Sequence, residues 1–147
     1  MSTDITNAGF FEALAAEMNA HPERFTILGD CDMVAALVMR RLDGEPFVVE
    51  VTFADLGCAS VREIDAHRAR AADFRLVGDV AAWAAMFADI EANGTATGRQ
   101  TINSLALLGD DIVCVGDDPM GEDKFSRFNQ TLQEYFDGAS RLTAVTR

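Results

Sequence analysis

The most constraining feature of this chain lies near its end. Asp118-Pro119 sets a helix-capping side chain before a proline at the first helical position. Phe125, Phe128, Leu132 and Phe136 then recur at spacings of three and four, while Lys124, Arg127, Gln130, Gln133 and Glu134 take the opposite side. Helices with one apolar stripe draw most of their stability from what that stripe packs against. The rest of the chain must therefore supply a second apolar layer. The spacing predicts a closing helix over Glu122–Asp137, ended by Gly138 in a left-handed cap.

The second layer reads as strands with two further helices. Phe10, Phe11, Leu14 and Met18 predict a first helix from about Asn7 to Ala20, stopped by His21-Pro22 because proline pushes its predecessor out of helical space. Phe25–Leu28 and Met33–Arg41 read as one interrupted strand, or as a strand and a short helix. Asp43-Gly44 marks a turn, and Pro46 then opens a strand over Phe47–Phe53, onto which Ala59–Ile64 can pair back. Phe74–Val77 reads as a short strand. Asp79 is placed to cap a helix over Val80–Glu91 whose stripe is Val80, Trp83, Phe87 and Ile90, with Met86 beside it; Asn93-Gly94 breaks it. Thr101–Leu108 and Ile112–Val115 flank Gly109-Asp110-Asp111 and are expected to form a tight hairpin. Short turns imply a mostly antiparallel sheet with helices on one face, an α+β fold.

No repeat, low-complexity tract or linker breaks the chain, so residues 1–147 are expected to fold as a single domain. Apolar residues make up 49% of it, enough to bury a real core, and no apolar run approaches the ~20 residues needed to span a bilayer. The opening Ser2, Thr3 and Asp4 bring neither a basic region nor an apolar one, so a cytoplasmic location is the expectation. The net charge of -12 repels phosphate, which argues against nucleic acid as a partner and against anionic membranes. Arg62, Arg68, Arg70 and Arg75 are the one basic cluster that could counter it. With Lys124 the sole lysine, no P-loop can be written, and no GxGxxG is present.

Candidate chemistry is sparse. His21 and His67 lack metal-ligand spacing to each other or to Cys31, Cys58 and Cys114, which read as small buried hydrophobes. Asp110-Asp111 and Asp117-Asp118 each follow a glycine, where aspartates serve as turn and cap residues. No GxSxG elbow occurs. Neither a catalytic set nor a metal or cofactor site is expected. What remains is apolar bulk: ten phenylalanines, six methionines and Trp83, most of which must simply be core. Phe- and Met-rich helices over a sheet can also wall a shape-tolerant pocket.

The stretch Ala72-Asp73-Phe74-Arg75-Leu76-Val77-Gly78-Asp79, followed by Ala82-Trp83, resembles the sterol carrier protein type-two-like domain. There a short strand beginning with Asp ends in a glycine turn, and a helix carrying an aromatic follows. The order of elements is similar over nearly the whole chain. The resemblance implies a five-stranded sheet with helices on one side, enclosing an apolar cavity for sterols, fatty acyl chains or similar lipids, and no invariant catalytic residues. It also implies that the helix stripes line that cavity, with Trp83, Met86, Phe87, Phe125, Phe128, Leu132 and Phe136 as ligand-binding candidates. The leading expectation is a non-catalytic carrier for a hydrophobic small molecule, which it could present to a partner enzyme. Two alternatives stay open: a small hydratase or isomerase using a buried Asp or Glu, and an accessory subunit with a solid core. Oligomeric state is not legible.

Overall fold

The computed structural model describes residues 4–108 and 111–145. Helix α1 (Ala8–Ala20) is capped by Asn7, whose side chain accepts the Phe10 amide N–H. Strands β1 (Met33–Arg40), β2 (Phe47–Ala54) and β3 (Gly57–Ile64) follow, then β4 (Phe74–Asp79) and helix α2 (Val80–Asn93). A short helix α3 (Ile102–Leu108), strand β5 (Ile112–Val115), and helices α4 (Pro119–Asp137) and α5 (Ala139–Val145) complete the order.

The five strands form one sheet in the order β3-β2-β1-β4-β5. β1–β2, β2–β3 and β4–β5 are antiparallel, but the central pair β1–β4 is parallel, running from Ala35↔Phe74 to Arg40↔Asp79. The sheet is therefore mixed. Short turns could reveal only pairings between sequence neighbours, whereas β1 and β4 meet across the β2–β3 hairpin. Asp73 closes the start of this pair: its N–H donates to the Val34 carbonyl, and its carboxylate accepts the Val34 N–H at 2.7 Å.

The chain runs from β3 to β4 across the face of the sheet away from the long helices, through a 3-10 turn at Arg68–Ala71. There Ala69 packs on Ala36, Val38 and Val48, while Ala35, Leu37 and Met39 face the main core under the helices. β1 is thus covered on both sides, which is why its sequence lacks alternation.

Four local expectations are corrected. Phe25–Leu28 is not a strand: Pro22 starts a 3-10 turn, and successive turn hydrogen bonds reach Gly29, with Phe25 buried and Ile27 exposed. Thr101–Leu108 is not a strand either. Thr101 Oγ1 accepts the Ser104 N–H, and Ile102 and Leu105, three apart, bury one side of α3. The expected hairpin therefore does not form. β5 pairs with β4 instead, and Gly109-Asp110 of the proposed turn lies outside the described residues. Gly138 is right-handed (φ -56°), and the chain passes through it into α5. Asp79 does occupy the N-cap of α2, but its carboxylate pairs with Arg40 at 3.0 Å rather than capping.

Candidate functional site

Of the seven expected ligand-binding residues, all but Phe128 are buried in one core, and five of them gather between α2 and α4. Trp83, Met86 and Phe87 of α2 and Leu132 and Phe136 of α4 are all essentially inaccessible. The Phe136 ring stands edge-on to Trp83 and to Phe87, at 6.0 and 5.6 Å. Trp83 also donates its indole N–H to the Val38 carbonyl at 3.1 Å, tying α2 to β1. The stripes of the two helices meet each other and the sheet as packed rings.

The other two sit nearer the start of α4, Phe125 buried in the same core and Phe128 at its edge. Phe125, one end of the α4 stripe, packs edge-on against Phe74 of β4 at 5.5 Å. Phe128 is only half-buried, with the Arg127 guanidinium 5.2 Å from its ring centre. A stripe read from spacing alone treats these positions as equals. Helix α4 crosses the sheet so that they are not.

Several recesses open on the described surface, and Phe125 lines one of them. That recess, about 360 Å³, lies between α3, β5 and the first turns of α4. Ala106, Cys114, Pro119 and Phe125 form its apolar wall, and Glu122, Asp123 and Ser126 its polar one. Ala106, Cys114 and Phe125 all belong to the main core or pack directly on it. The sequence reading missed this site because α3 was expected to be a strand. Pro119 and Glu122 were visible only as first-turn helix residues.

The charges around this recess are ordered. Glu122 Oε1 accepts the Gly116 N–H at 2.8 Å. Asp123 pairs with Arg127 at 3.0 Å. Lys124 turns towards the sheet, to Asp73 at 3.3 Å and Asp32 at 3.8 Å. Burial pushes the Cys114 thiol up to about 11, and the Glu122 charge adds to it. Two further recesses are lined by Glu45, Arg62, Glu63 and Arg68 among others, about 850 Å³, and by Arg40, Arg41, Leu42 and Val80 among others, about 540 Å³. Neither touches the α2 or α4 stripe beyond Val80.

Most of the polar candidates have structural partners. His21 lies 3.7 Å from Glu17 and 3.6 Å from Glu23, and His67 precedes the 3-10 turn in an exposed position. Asp117 accepts hydrogen bonds from Arg70 and Arg75, which hold its carboxyl below the usual range, and Asp118 caps α4. Buried Asp137 accepts from Thr95, Ala96 and Gln133. Burial pushes the Glu134 carboxyl up, but it faces Arg141, away from the recess lining. Among the described residues no three of His, Cys, Asp and Glu are grouped to hold a metal ion.

Two solved structures match the chain in fold. A crystal structure of sterol carrier protein 2 superposes with a TM-score of 0.67 over 93% of this chain and 98% of its own, at 16% identity. The fold is that of sterol carrier protein 2. A conserved hypothetical protein from Thermus thermophilus, itself only suggested to be a sterol carrier protein, matches with a TM-score of 0.69 over 95% of this chain and 93% of its own, at 14% identity. No protein-family model and no curated protein matches the sequence. At such identities the sterol-carrier-like arrangement is shared as architecture, with its mixed five-stranded sheet and covering helices. No described helix is long and apolar enough to cross a membrane.

Proposed function

We propose that the protein is a non-catalytic binding or carrier module for an apolar small molecule, taken up at the recess between α3, β5 and α4. The observation that carries this reading is the position of Phe125. Phe125, although 4% exposed, is at once a lining residue of an open recess and a partner of Phe74 in the core, so the recess abuts the core that holds the α2 and α4 stripes. At about 360 Å³ the recess falls within the range that holds small ligands. One wall is α3, a seven-residue helix that lies outside the sheet. The sterol-carrier-like fold agrees with a hydrophobic ligand, and the stripe residues behind Phe125 are those a longer apolar molecule would have to part.

The test is titration with a neutral, environment-sensitive dye such as Nile red. Saturable binding is expected, and Ser126→Trp, an exposed position on the recess wall, should weaken it about tenfold while leaving the melting midpoint unchanged. An absence of saturable binding, or equal affinity in the Ser126→Trp variant, overturns this assignment.

A further inference from the structure

We infer that the recess selects its ligand by headgroup charge, accepting an apolar molecule headed by an amine or an alcohol and rejecting one headed by a carboxylate or phosphate. Its premise is the binding role proposed above, at that same recess. The reason lies in which charges remain at the rim. Asp123 is offset by Arg127, Lys124 is drawn away to Asp73 and Asp32, and Arg70 and Arg75 are held by Asp117. No cation is among the lining residues.

Glu122 is the lining carboxylate left without a cation. Its Oε1 is fixed by the Gly116 N–H, and Oε2 has no hydrogen bond among the described residues. An ammonium or hydroxyl at the mouth can donate to that oxygen while the chain attached to it lies along Phe125, Pro119 and Ala106. A carboxylate there meets Glu122 as a like charge, with only the Ser126 hydroxyl and the weakly donating Cys114 thiol to offset it. The net charge of -12 deepens this rejection but does not localise it, because it acts everywhere on the surface.

The experiment compares decylamine, decanol and decanoate, each displacing Nile red from the intact protein at low salt below its micelle concentration. The amine is expected to bind about three- to fivefold tighter than decanoate, the scale of a partly exposed ion pair, with decanol between them. Added salt should narrow the gap. Glu122→Gln keeps an oxygen for the Gly116 N–H and should abolish the preference. Asp43→Asn, in the exposed turn at the opposite end of β1, changes the net charge equally and should preserve it. A preference for decanoate, a preference that survives Glu122→Gln, or one lost equally in Asp43→Asn overturns the selectivity while the carrier reading stands. Should none of the three displace the dye while the dye itself binds, the recess takes no chain of this kind and the inference fails. Should the dye not bind at all, the carrier reading fails with it. If Glu122→Gln does not fold, the salt dependence decides: a gap unchanged by salt overturns the electrostatic account.

Discussion

Gly121 has no freedom to be anything larger. A Cβ built there would overlap the Asp73 carbonyl oxygen and lie 2.9 Å from its carbon, so the first turn of α4 rests directly on the backbone leading into β4. Backbone cannot swing aside as a flexible side chain can. Gly121→Ala is therefore expected to cost at least about 2 kcal/mol in chemical denaturation, the range of overpacking without an easy escape. The aromatic positions of the same helix should separate by environment. Phe136→Ala removes a fully buried ring that contacts Trp83, Phe87 and Tyr135, and should cost about 3–5 kcal/mol. Phe128→Ala, at a half-buried edge, should cost only about 1 kcal/mol. Equal losses would mean that Phe128 is packed as deeply as the rest of the stripe.

Among the helices, α5 is joined to α1 by a partly buried carboxylate. Glu17 of α1 accepts from Arg141 of α5 at 2.8 Å and from Arg24 at 2.7 Å, with His21 nearby. Burial alone would push this carboxyl up, but the two guanidinium hydrogen bonds outweigh it and hold the group below the usual glutamate range. A carboxyl with a depressed folded-state pKa contributes stability above its unfolded pKa and loses it as pH falls through the folded one. Wild type is thus expected to exceed Glu17→Gln by about 1–2 kcal/mol at neutral pH, as for a charged hydrogen bond. That gap should close as the pH drops below about 4. Denaturant melts of both proteins across this range check the sign, and a gap that widens on acidification would contradict it.

For the molecule as a whole, the arginine cluster that could have countered the acidic surface is largely spent. Arg62 pairs with Glu50 across β2 and β3 at 2.8 Å, and Arg70 and Arg75 both bind Asp117. Ion pairs of this kind cancel the field that anionic lipid would sense beyond a Debye length. The protein is expected not to sediment with phosphatidylserine vesicles at physiological salt, and robust sedimentation would show a basic face that these pairs leave open. What the chain determined by itself were features carried by neighbours in sequence. The helices ending at Ala20, Asn93 and Asp137 follow from apolar spacing with the stops at Pro22 and Gly94 and the Asp118-Pro119 start, and the β2–β3 hairpin from alternation, because both are properties of a few consecutive turns or residues. Tertiary structure decided the rest. The parallel pairing of β1 with β4, the helical state of 102–108 and the half-burial of Phe128 beside buried Phe125 and Phe136 all turn on which distant segment lies opposite. The recess exists only where α3, β5 and α4 converge, and burial against a distant partner leaves no period in the sequence that receives it.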